Sequence, residues 1–224
     1  MHLDGKSFAE GELFHFDLHL FDTGSSAVRC FVMAFAELAS DGLGRGRRRV
    51  ELSAVSRLNT RGEAAGIVYA ADSQMMEGES AALLFDLNAV EEASHARVRF
   101  LTPTELKCGS ELIARPELAV LAARARDRIS ALREFYGDGP LAIDFRGFGE
   151  RAGLVKMTRC EIDRVNVRRR SSRTGQVHPM GGFVGEAEYE GDIGEFVPYL
   201  KVAQWTGVGR QTVWGKGAIE VETK

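Results

Sequence analysis

From Ala96 to its C-terminus the chain switches between two hydrophobic periods in an order that few folds satisfy. Val98, Phe100 and Thr102 repeat every second residue, the spacing of a strand with one buried face, and Thr102-Pro103 predicts its end. Leu118, Leu121, Ala125, Ile129, Leu132 and Tyr136 then form a stripe at helical spacing, with Pro116 suited to the first turn and Gly137 to the stop. Leu154 to Val167 reads as a strand again, and its alternation changes phase between Ile162 and Val165, which predicts a bulge or strong bend. Phe183 to Tyr189 is the expected partner. Asp192 to Thr206 reads as a helix, with Pro198 tolerated only in the first turn, and Ala218 to Glu222 closes the chain as a last strand. The order β-α-β-β-α-β is that of a complete ferredoxin-like module, an antiparallel sheet covered on one face by two helices.

The N-terminal part carries a shorter version of the same pattern. Phe14, Phe16, Leu18 and Leu20 alternate with His15, Asp17 and His19, which predicts a half-buried strand. Val28, Phe31, Val32, Phe35 and Leu38 recur at helical spacing behind Ser25 or Ser26 as the cap. The glycine-rich run Asp41-Gly42-Leu43-Gly44-Arg45-Gly46 ends that helix, and Val50, Leu52 and Ala54 resume strand spacing, with a further strand near Ala65 to Tyr69. Strand, helix, glycine loop and strand are also the series that closes the second module, so an internal duplication is expected. The predicted fold class is therefore α+β, with two ferredoxin-like modules, the first incomplete, over residues 1–93 and 94–224.

Charge is distributed unevenly. The net charge of −3 over 224 residues argues against a uniformly cationic surface, so only clusters count. Arg164, Arg168, Arg169, Arg170 and Arg173 crowd the connection between the two long strands, while Glu186, Glu188, Glu190, Asp192 and Glu195 follow just downstream. Such a hairpin tip can lie along a polyanion, since the guanidinium fork matches phosphate oxygens. The plainer alternative is a solvated loop whose arginines pair with those acids. Cys30, Cys108 and Cys160 have no paired spacing, which speaks against a zinc ribbon or a disulfide framework. No apolar run reaches the ~18 residues of a membrane span and no signal core begins the chain, so a soluble chain of a reducing cytoplasm, without membrane partners, is expected.

Two glycine-rich segments follow helices and precede strands: Gly42 to Arg47, and Gly207-Val208-Gly209-Arg210-Gln211-Thr212-Val213-Trp214-Gly215-Lys216-Gly217. Glycine allows positive φ and close backbone approach, so successive N–H groups can form an anion-binding concavity. Arg45, Arg47, Arg210 and Lys216 would add charge, and Gly207, Gly209, Gly215 and Gly217 would shape it. The spacing from Gly209 to Lys216 does not fit a nucleotide P-loop, and it leads into a strand rather than a helix. The alternative is that these glycines merely let a helix turn tightly into a strand. His178, after the basic tip, is the best-placed imidazole for acid or base work. His15, Asp17 and His19 share one strand face, which suits either a transition metal or plain solvation. Trp205 and Trp214 flank the second glycine loop, where they could stack on unpaired bases or fill the core.

Taken together, the loop Gly207 to Gly217, the stretch Phe14 to Phe21, the helix ending in Gly42-Leu43-Gly44-Arg45-Gly46, the turn Phe100-Leu101-Thr102-Pro103 and the helix start Arg115-Pro116-Glu117 resemble the CRISPR-associated endoribonucleases of the RAMP superfamily that process precursor CRISPR RNA. The resemblance covers nearly the whole chain. It implies recognition of a CRISPR repeat RNA and metal-independent, cofactor-free cleavage. In that reaction a ribose 2′-hydroxyl attacks the adjacent phosphorus, a base takes its proton, an acid protonates the leaving 5′-oxygen, and a cyclic phosphate results. Other CRISPR effector subunits are implied as partners. Members of the family usually begin with a further strand, helix and strand that often carry a catalytic histidine, so the resemblance implies a chain that starts late. A non-catalytic RNA-binding subunit is then the alternative, and a metal-binding hydrolase or sensor using His15, Asp17 and His19 a further one. A sheet edge left unpaired by the absent strands would favour a homodimer.

Overall fold

The structure, a computed structural model, describes residues 8–21, 25–44, 46–72, 75–76, 82–137, 139–170 and 174–224. The chain divides into two compact units, Leu20–Leu84 and a second formed by Phe85–Lys224 with the segment ending at His19. Each is built from helices and antiparallel sheets. Among the described residues no helix is long and apolar enough to cross a membrane.

The smaller unit contains helix α1 (Ser25–Asp41) and a three-stranded antiparallel sheet, β1 (Ala54–Leu58), β2 (Ala64–Ala70) and β3 (Met75–Met76), in the order β1-β2-β3. Helix and antiparallel sheet give this unit the α+β character expected of the first module. Val32 and Ala39 of α1 and Val68 of β2 are buried, whereas Phe31 and Leu38 of the expected stripe stay exposed. The helix ends at Gly42, whose N–H donates to the Leu38 carbonyl at 3.1 Å and whose φ of 96° places a would-be Cβ against the Arg47 carbonyl, so no other residue fits. Leu43 and Arg48 then exchange backbone hydrogen bonds of 2.9 and 3.2 Å, closing a tight turn. That closure delays the strand, which begins at Ala54 and not at Val50; the Val50 N–H is turned back to the Ala39 carbonyl at 3.1 Å. The β1–β2 connection is held by Asn59, whose Oδ1 accepts from the N–H groups of Arg61 and Glu63.

The expected strand from Phe14 to Phe21 is not formed among the described residues. Phe14 and Phe16 are half-buried and their neighbours exposed, so the alternation reports two environments, but among the described residues no strand pairs with this segment.

The larger unit runs β4 (His95–Thr104), a short hairpin β5 (Lys107–Cys108) and β6 (Glu111–Leu112), α2 (Leu118–Tyr136), α3 (Phe145–Ala152), β7 (Lys156–Val165), β8 (Arg168–Arg170), β9 (Val177–Pro179), β10 (Gly182–Glu190), α4 (Val197–Thr206) and β11 (Ile219–Thr223). Its main sheet has the order β11-β4-β10-β7 with every pair antiparallel. With α2 and α4 as the two crossovers this is the ferredoxin-like arrangement. Pro198 sits in the first turn of α4, where its missing N–H costs no hydrogen bond.

One face of the sheet, carrying Ala96, Val98, Phe100, Phe183, Ala187 and Tyr189, packs on Leu118, Leu121, Ala122 and Ala125 of α2 and on Leu200 and Ala203 of α4. Burial of these apolar side chains is the main stabilising term. The buried Tyr189 hydroxyl donates to the Pro116 carbonyl at 2.6 Å, and burial pushes its pKa far up. Helix α3 has no counterpart in the sequence reading. Asp144 caps it by accepting from the N–H groups of Arg146 and Gly147, and Phe148 projects into the core with its ring 4.9 Å from those of Phe196 and Tyr199.

The other face is laced with ion pairs. Arg97 meets Glu188 at 3.2 Å and Glu222 at 3.7 Å, Arg159 meets Glu161, Glu186 and Glu188 at 2.7, 3.3 and 3.4 Å, and Arg99 pairs with Glu220. Burial works to raise the Glu188 pKa, but the guanidiniums of Arg97 and Arg159 outweigh it and hold it below the usual carboxylate value.

The predicted bulge between Ile162 and Val165 is displaced. Register with β10 is continuous there, from Ile162 opposite Gly185 to Val165 opposite Gly182, and the irregularity falls between Met157 and Arg159. The bend belongs to β10 instead, at Gly185, whose φ is 122° and where a Cβ would collide with the Glu161 carbonyl.

Because Phe148 is 1% exposed and stacks edge-on against two rings, Phe148→Ala is expected to destabilise the fold by about 3–5 kcal/mol, measured by urea unfolding; a loss under about 1 kcal/mol would show that α3 is peripheral. The depressed Glu188 pKa contributes stability above the unfolded carboxylate range that is lost as pH falls through the folded value. Unfolding midpoints should therefore drop on acidification below about pH 4.5, and less so in Glu188→Gln.

Candidate nucleic-acid interface

The arginine-rich connection forms a second hairpin that extends the β7–β10 pair beyond the main sheet. In it Arg168 lies opposite Pro179, Arg169 opposite His178 and Arg170 opposite Val177. Alternation along a strand places successive side chains on opposite faces. Arg164 is exposed and its Nη2 donates to the Ile113 carbonyl at 3.2 Å, and Arg168 is exposed. Arg173 and Arg45 lie outside the described residues. Three of the five downstream acids have other partners: Glu186 and Glu188 are taken by Arg159 and Arg97, and Glu195 forms a bidentate pair with Arg151 at 2.6 and 2.7 Å. Among the described residues, neither Arg164 nor Arg168 forms an ion pair.

The second glycine-rich loop comes directly against this hairpin. It leaves α4 at Gly207, where the N–H donates to the Ala203 carbonyl at 2.9 Å and φ is 70°. Val208 is buried, and Gly209 follows with φ 85° so close to the β4 end that a Cβ would strike the Glu105 carbonyl. Gln211 and Gly215, both left-handed, bracket one 3₁₀ turn, Thr212–Trp214. Gly217 then closes the loop, its carbonyl accepting from Val208 at 2.9 Å and its N–H donating to Pro103 at 3.2 Å. Much of the loop's backbone is satisfied internally in this way: the N–H groups of Val208, Arg210, Trp214, Gly215 and Gly217 all donate to backbone carbonyls. The anion cradle expected from the glycines is thus largely a closed turn, and the cationic side chains carry more of the charge.

Those side chains divide into two kinds. Arg210 is half exposed and pairs with Glu105 at 2.5 Å. Lys216 is 2% exposed; its Nζ donates to the Gly181 carbonyl at 2.6 Å and to Gln211 Oε1 at 3.0 Å, with Glu105 at 3.7 Å. Burial lowers its pKa below the usual lysine value, and Glu105 opposes the shift. Lys216 therefore fastens three segments: the loop at Gln211, the base of the basic hairpin at Gly181, and the end of β4 at Glu105. A second contact joins the same parts, the His178 ring standing edge-on to the Trp214 indole at 5.6 Å between centroids. His178 and Lys216 thus join the hairpin to the loop that carries Gly207, Gly209, Arg210, Gly215 and Gly217, while Arg164 lies on β7, its side chain on the Ile113 carbonyl, and Arg168 on β8. Arg47, at φ 42° in the turn after α1, belongs to the other unit. Glu105 and Gln211 escaped the sequence reading, because nothing in a lone glutamate after a strand or a glutamine in a loop signals that each partners a buried ammonium.

The metal alternative is corrected by the geometry. His19 Nδ1 lies 2.6 Å from the Trp205 carbonyl, its ring 5.1 Å from the indole, and no group of three or more His, Cys, Asp or Glu among the described residues is arranged to hold a metal ion. The strand that would have aligned His15, Asp17 and His19 is not formed there.

Fold and site together define an α+β protein on ferredoxin-like modules, the second bearing a cationic hairpin fastened to a glycine-rich turn. The sequence matches the family of the CRISPR-associated endoribonuclease Cas6 over residues 98–219, more than half of the chain, and the chain belongs to that family. A family described as an N-terminal domain matches residues 1–81. No curated protein matches the chain. Among solved structures, a Thermus thermophilus Cas6 product complex is 20% identical, with 86% of this chain and 70% of that one covered and a TM-score of 0.52. A partial Cas6-RT-Cas1–Cas2 complex is 10% identical, with 89% and 33% covered and a TM-score of 0.51. At these identities the likeness is one of fold. In three other Cas6 structures the chain spans 53 to 56% of the matched chain's length.

If Lys216 is the fastener described, Lys216→Met, which keeps the stem and removes the ammonium, leaves the Gly181 carbonyl and the Gln211 amide without their donor. The expected cost is about 1–3 kcal/mol of unfolding free energy together with faster proteolysis within residues 168–179. Unchanged stability would show that the ammonium carries no structural role.

Proposed function

We propose that this chain binds CRISPR repeat RNA along the β8–β9 hairpin and the adjoining glycine-rich turn and processes the precursor by attack of a ribose 2′-hydroxyl. The observation that carries the reading is the fastening of the basic hairpin to the glycine-rich turn through Lys216 and Gly181, with Arg164 and Arg168 in no ion pair among the described residues. Arg164, Arg168, Arg169, Arg170 and Arg173 supply phosphate contacts from the hairpin and Arg210 from the loop; Arg45 and Arg47 are proposed as phosphate contacts of the smaller unit in their own right. Neutralised phosphates release counterions, so affinity should fall steeply with salt. The ion-paired sheet face is an unsuitable route for RNA, because Glu161, Glu186, Glu188, Glu220 and Glu222 there outnumber Arg97, Arg99 and Arg159.

In this reading His178 is the acid or base, half-buried beside the cationic hairpin. No metal or other cofactor takes part: the 2′-hydroxyl is the nucleophile, and nearby guanidiniums steady charge on the phosphate. A non-catalytic RNA-binding subunit is the second reading, favoured by the engagement of other imidazoles, His19 with the Trp205 carbonyl and His95 with Glu188 at 3.5 Å. CRISPR effector subunits are the proposed protein partners, and pairing of an exposed sheet edge is the proposed route to a homodimer.

Incubating the protein in excess with labelled repeat RNA in EDTA separates the readings. Fragments ending in cyclic phosphate, reduced at least a hundredfold in rate by His178→Ala, are the expected result; bound but intact RNA would leave only the binding subunit. The Arg168→Ala/Arg169→Ala/Arg170→Ala variant should lose affinity and flatten the slope of log K against log salt by about 0.7–0.9 for each phosphate that is no longer neutralised, and an unchanged slope would remove the hairpin from the interface.

A further inference from the structure

The two tryptophans beside the glycine loop have different surroundings. Trp205 is on α4 and packs against His19 and Phe85 at 5.1 and 6.3 Å. Trp214 instead ends the 3₁₀ turn at the far end of the loop, 41% exposed, next to Val213 at 80% exposed. Two large apolar side chains at such exposure on a tight turn contribute little to a core.

The turn is built to hold them there. Gln211 has φ 60°, a conformation unfavourable for a residue with a Cβ, and Gly215 has φ 81°. The Gln211 side chain is fixed by the buried Lys216 ammonium, and the N–H groups of Trp214 and Gly215 donate back to Gln211 and Thr212 at 2.9 Å. The His178 imidazole meets the indole at 63°, an edge-to-face contact that orients the indole against the hairpin. A rigid, half-exposed indole against a hairpin whose register sets Arg169 opposite His178 offers what an unpaired nucleobase needs: an aromatic surface for the ring and positive charge nearby for the flanking phosphate.

We propose that Trp214, steadied by His178, is a stacking platform for one unpaired nucleobase of the RNA, giving the site a preference for single-stranded segments over continuous duplex. The proposal rests on the RNA-binding reading above and adds to it the feature of the ligand that is recognised. Charge alone does not separate a duplex from a single strand, whereas stacking requires a base free of its helix.

The test uses the full chain with two probes, single-stranded oligoadenylate and a blunt RNA duplex. In a Trp205→Phe background, saturating oligoadenylate should quench the remaining Trp214 emission, and the duplex should bind without quenching. In otherwise wild-type protein Trp214→Ala should weaken oligoadenylate binding about tenfold or more, the loss expected for one base stack, and Trp214→Phe should restore most of it, while duplex affinity stays within about twofold throughout. Unquenched emission at saturation, or equal effects of Trp214→Ala on the two RNAs, would overturn the platform and leave the hairpin reading standing. Failure of the wild-type protein to bind either RNA at low salt would overturn both.

Discussion

A buried ammonium has to be surrounded by acceptors, and in this protein that requirement organises the site. Lys216 draws the Gly181 carbonyl, the Gln211 side chain and Glu105 to one point, so three segments distant in sequence share a single fastening. The glycines around it serve close packing: Gly209 lies against the Glu105 carbonyl and Gly217 against Val208, positions where any Cβ would collide. The result is a closed turn from which Arg210, Val213 and Trp214 project, set beside a hairpin that carries arginines. The charge proposed to meet a polyanion sits on the exposed rim of this arrangement, and the charge at its centre holds the rim in place.

Segregation of charge reconciles a net charge of −3 with the proposed RNA interface. On the main sheet, glutamates and arginines alternate across strands and neutralise one another, leaving the face acid-rich. Beyond the sheet, where β7 and β10 continue as the β8–β9 hairpin, the acids stop and arginines remain. Glu186, Glu188 and Glu195, which follow the hairpin closely in sequence, are directed to other partners, Arg97, Arg151 and Arg159. Proximity along the chain was a poor guide to pairing because strand alternation and register decide which side chains meet.

The second module was legible because each of its elements has a clear period: Val98 and Phe100 in β4, Leu118 to Ile129 in α2, and Phe183 to Tyr189 in β10 face the core as their spacing predicts. Pro198 could be placed in a first turn from its chemistry alone. Helix α3 was hidden by Gly147 and Gly149, poor helix formers whose cost is offset by the Asp144 cap and the burial of Phe148. The segment Phe14 to Phe21 has the pattern of a strand but no ladder, a distinction made by tertiary partners and invisible to periodicity. Lys216 shows the same limit at the site. As a lysine among glycines it reads as a phosphate ligand, and only its burial reveals a structural role. The hairpin was read correctly as a hairpin, yet its contact with the glycine loop through His178 and Trp214 joins residues far apart in sequence, which no local signal encodes.

RNA is proposed to follow the hairpin and the fastened turn and to avoid the ion-paired sheet face. Photocrosslinking of the protein to a thiouridine-substituted CRISPR repeat, with the attached peptides mapped by mass spectrometry, addresses it directly. Crosslinks confined to residues 164–180 and 207–217 of the larger unit, with none on β4 or the first half of β7, are the predicted result. Crosslinks concentrated on the strands that carry Arg97, Arg99 and Arg159 would put the RNA on the sheet face and remove the hairpin as its path.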